Sequence, residues 1–172
     1  MLDYALHIYG FTLSWANKLV ADVAEDQMCA QPVAGRVMNH GAFILGHLAW
    51  TSDQGIAMLS PICPAAAALG SASWNDDAWK AVFAMGAKPT ADRSHYPSKA
   101  KLLAALEEGH ARFSSAVTKL TPEMLAQLAP ERMRSRFPTI GHVVVGLLTS
   151  HEASHLGQLS AWRRALGWPS LS

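Results

Sequence analysis

The chain has 172 residues, 50% of them hydrophobic and 16% charged, and its formal net charge is +1. This composition suits one domain with a sizeable core and excludes a disordered chain. The weak net charge does not predict binding to nucleic acid or to an anionic membrane, and we interpret the basic stretch Arg132, Arg134 and Arg136 as a solvated loop.

Apolar residues recur mostly at helical spacing from the N-terminus onwards. In the first helix, one stripe contains Leu6, Gly10, Leu13, Asn17, Val20 and Ala24. Asn17, the polar residue on this stripe, is predicted to have a structural role. A second helix is predicted over residues 36–59. The segment SPICPAAAALGSAS, residues 60–73, is predicted to be a loop because it contains prolines and glycine. The segment NDDAWKAVFAMG, residues 75–86, predicts a short helix with an acidic start and a glycine stop.

The next long helix is predicted to begin with Ser98 as its N-cap and to end near Lys119. Thr121 is the predicted cap of a short helical turn, in which Pro122 takes the first position. Capping residues of this kind accept a hydrogen bond from a free backbone N–H group at the start of a helix. These positions therefore mark two further helix starts.

The last helix is predicted from Thr139 to Gly167. We find no alternating strand pattern, no internal repeat and no second domain. The sequence therefore predicts a single all-α domain over residues 1–172, a four-helix bundle with a long connection between helices two and three.

The sequence also favours a cytoplasmic location. Its two cysteines, Cys29 and Cys63, lie far apart and form no C-x-x-C motif, which is typical of a reduced protein. The N-terminal residues do not resemble a signal peptide. The apolar stretches are interrupted well before the length that a membrane-spanning helix needs.

The last helix contains the string His151-Glu152-Ala153-Ser154-His155, which fits the zinc-binding signature H-E-x-x-H. The spacing alone is a weak signal in a chain with eight histidines. At about 100° per residue, however, both histidines lie within the apolar stripe of that helix, whereas Arg163 and Arg164 lie off it. The stripe consists of Ile140, Val144, Leu147, Leu148, Trp162 and Leu166. Two buried imidazoles need polar partners, and a divalent metal is one efficient partner.

The metalloprotease interpretation is disfavoured by the residues after the motif. None of the seventeen residues after His155 is Asp, Glu or His. Gln158 and Ala161 stand where the longer protease signature has glycine and its last histidine. No strand is evident that could hold an extended peptide. A third metal ligand is therefore expected upstream.

His47 is the best upstream candidate, because it shares a helical stripe with Phe43, Ile44, Trp50, Thr51 and Met58. It could face the other two histidines across the core of the bundle. His40 shares that stripe but lies two turns away, too far to bind the same ion. The remaining histidines lie on the wrong side of a helix or have no second ligand near them: His7, His95, His110 and His142.

The roles of the neighbouring residues remain open at this point. Glu152 is either the general base, as in the H-E-x-x-H proteases, or a surface residue at the edge of the stripe. Gln158 either lines the pocket, anchors a hydrogen bond behind a ligand, or ties two helices together. Trp50, Thr51 and Gln158 are the preferred candidates for lining the pocket. No catalytic residue is assigned.

Three segments together resemble the DinB-like, or YfiT-like, superfamily of damage-inducible metal-dependent enzymes, which is unrelated to the DNA polymerase of the same name. The segments are WANKLV (residues 15–20), ILGHLAW (residues 44–50) and HEASHLGQLSAWRRALG (residues 151–167). The last is the most specific, and the stretch from residue 60 to 97 matches least.

The resemblance implies a four-helix bundle, often homodimeric, in which three histidines hold nickel, zinc or iron. Those positions carry over as His47, His151 and His155. It also implies thiol-dependent transfer or isomerisation, or hydrolysis, on a small-molecule substrate. The alternative is a non-enzymatic, metal-binding, dimer-forming stress-response protein. A metal-free bundle whose histidines make only polar contacts is a third hypothesis.

Overall fold

The computed structural model describes residues 2–171, and within them the regular secondary structure is helical apart from one isolated bridge between Leu128 and Thr139. The predicted all-α class is therefore confirmed. The α-helices are α1 (Leu2–Val20), α2 (Gly41–Leu59), α3 (Pro64–Leu69), α4 (Asp77–Phe83), α5 (Lys99–Val117), α6 (Pro122–Ala126), α7 (Ile140–Gly146) and α8 (Glu152–Ala165). A π-helical segment (Leu147–His151) joins α7 to α8, and short 3-10 turns occupy Glu25–Gln27, Arg93–His95 and Glu131–Met133.

The long helices pack in a closed ring, because α2 contacts α5, α5 contacts α1, α1 contacts α8, and α8 contacts α2. Helices α3 and α4 lie in the long connection between α2 and α5, and both pack on α2. The core forms two clusters of buried side chains. One contains Phe83 and Trp162, and the other contains Phe113 and Leu148. None of the helices in the described part of the chain is long and apolar enough to cross a membrane.

The helix starts predicted from capping residues are confirmed. The Ser98 side chain accepts a hydrogen bond from the backbone of Lys101, and Thr121 accepts one from Met124. Asp76 caps α4 in the same way. Each cap satisfies an N–H group that has no partner within its own helix.

Two predicted boundaries are wrong. The second helix begins at Gly41 rather than near residue 36, because extended backbone at His40 ends the preceding loop and its side chain caps the Phe43 N–H group. Residues 60–73 are not wholly a loop, since they contain α3. Pro64 suits the first position of that helix, and the alanines that follow are strong helix formers.

The predicted apolar stripe of α1 is not its buried face. The buried residues lie about one position earlier and are Ala5, Tyr9, Thr12, Ala16, Leu19 and Val20. Asn17 is exposed and bonds only to the Leu13 carbonyl of its own helix. The predicted stripe follows the edge of the buried face, where Leu6 and Leu13 are half-buried and only Val20 is buried. Large apolar residues also lie on the exposed side, at Tyr4, Ile8 and Phe11.

A buried carboxylate attaches the long connection to the long helices. Asp53 of α2 is only 3% exposed. It accepts hydrogen bonds from the Ala72 backbone at 2.9 Å, from Asn75 at 2.6 Å and from Ser71 at 3.0 Å. Arg112 of α5 lies 3.4 Å away and offsets its charge. The connection is therefore held in one position against α2 and α5.

We expect Gly46→Ala to destabilise the protein by about 1–3 kcal/mol, the usual cost of overpacking a core. A Cβ atom at Gly46 would lie 2.2 Å from the ring of Phe83, which is fully buried. Urea denaturation measures the change. Gly10→Ala is the matched control, since a Cβ atom there meets nothing within 4 Å, and it should leave the protein as stable or more stable. Equal stability of the Gly46→Ala variant and the wild type would contradict the packing argument.

Candidate metal centre

The structure brings together the three histidines that the sequence singles out as metal ligands. His47 lies in the middle of α2, His151 ends the π-helical segment, and His155 lies in the first turn of α8. One ligand atom from each ring lies within 4.8 Å of the other two. The ring centroids of His47 lie 5.5 Å from His151 and 4.8 Å from His155. Two distant segments of the chain therefore form one compact group of imidazoles.

Hydrogen bonds to the Nδ1 atoms of two rings leave their Nε2 atoms free. His47 Nδ1 lies 2.7 Å from the Phe83 carbonyl oxygen, which can only accept, so Nδ1 carries the proton. His155 Nδ1 lies 3.2 Å from Oε1 of Gln158, an oxygen that also accepts from Asn39 at 2.9 Å. Such bonds on the far side of the ring set the tautomer and orientation of metal-binding histidines.

The environment keeps all three imidazoles neutral. Burial lowers the pKa of His47, partly offset by the bond to Phe83. Burial, followed by the neighbouring rings and Arg136, lowers the pKa of His151 to about 3. Burial and the His47 ring lower the pKa of His155 to about 4. Neutral imidazole is the form that binds a metal ion.

The group fits a divalent metal ion in chemistry and in size. Nitrogens that share one tetrahedral ion at about 2.1 Å lie roughly 3.4 Å apart, so small rotations of the rings would bring them within binding distance. Imidazole ligands suit zinc, nickel and iron. The three-histidine set belongs to open sites rather than to closed structural sites, which normally have four protein ligands.

We expect the metal-free protein to lose stability as the pH falls below the ordinary histidine pKa of 6.5. The folded-state pKa values of His151 and His155 lie near 3 and 4, so between these values and 6.5 the unfolded chain binds more protons. Stability therefore rises with pH across that window and levels off above it. Urea denaturation in the presence of a chelator at pH 7, 6 and 5 measures the slope. The His151→Asn variant should show a shallower slope, and an unchanged slope would contradict this assignment.

The last helix is not the regular rod that the sequence predicts, because residues Leu147–His151 form a π-helical segment. Such a segment adds a residue to the helix and changes the direction of the side chains after it. It ends at His151, and α8 begins at Glu152. The angles calculated for a regular helix therefore do not apply across this junction.

Glu152 is not a surface residue, since it is only 2% exposed. Its Oε2 atom accepts a hydrogen bond from Thr12 at 2.7 Å, and its Oε1 atom lies 2.6 Å from Nε2 of His110. Both carboxylate oxygens are thus engaged in hydrogen bonds within the core, although Glu152 also lines the small cleft beside His151. These bonds favour a structural role for Glu152 over that of a general base. Sequence reasoning missed His110 because its partner lies 42 residues away.

The three residues predicted to line the pocket lie close to the histidines. Thr51 and His151 both line a small cleft with an empty volume of about 210 Å³, which includes its open mouth. The Trp50 ring stacks beside His47 with centroids 5.8 Å apart. Gln158 is exposed and bonds both to His155 and to Asn39, so its contacts fit a hydrogen bond behind a ligand and a tie between two segments equally well.

Three further histidines make contacts away from this group. His40 caps α2 and bonds to the Thr90 carbonyl, His95 pairs with Asp92, and His142 bonds to Thr139.

Arg163, which the sequence places off the apolar stripe, is nevertheless buried. Its guanidinium group donates to the Leu19 carbonyl and to Asp22. It therefore joins the end of α8 to the end of α1. A buried arginine needs partners of this kind, because an unpaired charge is costly in a core.

Comparison with known families identifies the superfamily of the chain. The family model described as the DinB superfamily matches residues 12–159, a range that includes all three histidines. Comparisons with curated proteins and with solved structures give no significant match. Because the family match spans most of the chain, the protein belongs to the DinB superfamily.

Proposed function

We propose that the protein is a metal-dependent enzyme that acts on a small substrate by hydrolysis or by transfer of a low-molecular-weight thiol. Zinc, nickel or iron would be held by His47, His151 and His155. The observation that carries the proposal is the meeting of three neutral imidazoles within 4.8 Å. In the described residues no carboxylate or thiol joins this group as a fourth ligand, which leaves room for a substrate.

A divalent ion at such a centre makes water or a thiol nucleophilic near neutral pH. The chain's own groups hold the rings in place, since Phe83 fixes His47 and Gln158 fixes His155. Trp50 and Thr51 would contact the substrate. The indole Nε1 atom of Trp50 is buried and has no hydrogen-bond partner in the described part of the chain. A buried donor without a partner destabilises the protein, and a bound molecule that accepts a hydrogen bond from Nε1 would remove this penalty.

The alternative function is a non-enzymatic metal-binding protein, in which the ion only stabilises the bundle. The three-ligand set argues against this, because purely structural zinc sites are normally closed by four protein ligands. In the remaining hypothesis, a metal-free bundle, the three rings would need partners within the protein. No side-chain partner is found for the His151 ring among the described hydrogen bonds.

The experiment is a screen of the metal-loaded protein with low-molecular-weight thiols and small electrophiles, beside a hydrolysis screen. We expect turnover in the wild type and none in His47→Ala. His142→Ala is the matched control, because His142 is bound to Thr139 away from the centre, and it should keep the activity. Metal that raises the melting temperature without any turnover would favour the alternative function.

We also propose that the ring of long helices is the four-helix bundle typical of the superfamily, and that the protein forms a homodimer through α1. The exposed residues Tyr4, Ile8 and Phe11 form a continuous apolar face. Asp3 and Lys18 lie on one flank of that face, near opposite ends of the helix. In an antiparallel pair, Asp3 of one copy would therefore approach Lys18 of the other. Analytical ultracentrifugation should show a dimer that Phe11→Glu dissociates and Met85→Glu, at another exposed apolar side chain, leaves intact.

A cytoplasmic location completes the proposal. Both cysteines are free and buried, and burial raises the pKa of the Cys29 thiol to about 11. Unpaired cysteines are usual in a reducing compartment.

A further inference from the structure

A buried polar contact between three helices lies immediately beside the candidate metal centre. Glu152 follows His151 in sequence, and its carboxylate bonds to Thr12 of α1 and to His110 of α5. The side chains of Glu152 and His110 are 2% and 4% exposed. Buried groups that are fully satisfied in this way restrict a core to one arrangement. The start of α8 is thereby attached to two other helices.

The same network continues to α2, which carries His47. The His110 ring stacks on the Tyr9 ring with centroids 3.7 Å apart and planes inclined by 7°. The Tyr9 hydroxyl lies 2.7 Å from Oγ of Ser52, and Ser52 donates its own proton to the Leu48 carbonyl at 3.0 Å. Since Ser52 has one proton, Tyr9 must donate to Ser52.

All four long helices therefore meet in one buried network, which reaches both helices that carry the grouped histidines. On α8 the attachment is Glu152, adjacent to His151. On α2 the attachment is Ser52, on the same helix as His47, and Ser52 bonds within that helix to the Leu48 carbonyl. No atom of the network is itself among the three grouped ligands. Its effect on the centre must therefore act through the positions of the helices.

The π-helical segment explains why such an attachment is needed. A π turn is a rare form of helix, and this one ends at a candidate ligand, His151. Without an anchor after it, α8 could relax to a regular helix and rotate its side chains. Glu152 is the first residue after the segment, and its bonds oppose that rotation.

We infer that the Glu152–His110 pair, with Thr12, is a positioning device that holds the π turn so that His151 and His155 meet His47. Glu152 in this role is a positioning residue rather than a general base. This inference rests on the proposed metal centre.

The test measures Co²⁺ affinity by absorbance titration against a competing chelator, at a temperature where circular dichroism shows every variant to be folded. We expect Glu152→Gln to weaken Co²⁺ binding about 10-fold or more, as for other groups that orient metal ligands. Thr12→Val keeps the carboxylate charge and removes the Thr12 hydroxyl, whose single proton lies between Glu152 and the Tyr9 carbonyl. It should weaken Co²⁺ binding to a smaller extent and shift the Co²⁺ absorption bands. Because the charge of Glu152 is kept, such a change reports the position of the ligands and not the loss of a charge.

Asp53→Asn is the matched control, because Asp53 is equally buried but bonds to residues 71–75 and Arg112 instead. It should lower the melting temperature and leave Co²⁺ affinity unchanged. If both Glu152→Gln and Thr12→Val bind Co²⁺ with wild-type affinity, the inference is overturned, but the proposed metal centre is not contradicted. Equal losses in the Asp53→Asn variant would also overturn it. If Glu152→Gln does not fold, Thr12→Val decides. Absence of Co²⁺ binding by the wild type would instead contradict the proposed function itself.

Discussion

Replacing His151 with alanine is expected to lower the affinity for zinc or nickel by at least about 100-fold, because it removes one of only three protein ligands. The other two rings are each held by a hydrogen bond on Nδ1, to Phe83 and to Gln158. They cannot move far enough to replace a lost ligand without breaking those bonds. Elemental analysis of protein purified without a histidine tag, beside a chelator competition, measures the loss.

His142→Ala is the control for this experiment, since it removes an exposed imidazole of α7 that is bonded to Thr139. It should retain the full metal content. Binding should also weaken in acid, because protons compete for the same nitrogen atoms. Equal metal content in the wild type and in His151→Ala would contradict the assignment of the metal centre, and it would also contradict the proposed enzymatic function.

The second large effect is expected at Asp53, where replacement by alanine should destabilise the protein by about 3–5 kcal/mol. The carboxylate accepts from the Ala72 backbone and from Asn75 in a buried position, and it offsets the charge of Arg112. Its removal leaves these donors without partners and the guanidinium group, which is 19% exposed, without its buried counter-charge. The long connection between α2 and α5 would then lose its main attachment.

Urea denaturation monitored by circular dichroism checks this value. Asp77→Ala is the control, because the Asp77 side chain is exposed and pairs only with Lys80, and exposed ion pairs contribute little to stability. Asp53→Ala should also increase proteolysis within residues 60–97 before global unfolding. A change in stability below about 1 kcal/mol would show that the connection is held by its apolar contacts instead.

Local features of the chain were predictable because their causes lie within a few residues. Ser98 and Thr121 bond to backbone groups three positions further along, so sequence alone identifies both as helix starts. The start of α2 was harder to predict, since His40 serves as its cap and histidine is not a usual capping residue. The buried face of α1 could not be found from apolar spacing, because large apolar residues lie on both sides of that helix.

The candidate metal centre was predictable to a greater extent than the contacts around it. His151 and His155 are one helical turn apart, and their place on an apolar stripe implies burial. His47 could be named from its own apolar stripe, although its sequence separation from the pair gives no distance. By contrast, nothing near Glu152 in sequence indicates that its partners are Thr12 and His110.

The sequence by itself determined the helical class, several helix starts and the three histidines, because each depends on residue type and on spacing within one segment. Only the tertiary structure decided that the rings lie within 4.8 Å of one another, that a π turn precedes α8, and that Glu152 faces the core. These features arise where helices far apart in sequence pack together. Buried polar contacts between those helices stabilise them. Short-range sequence patterns cannot predict such contacts.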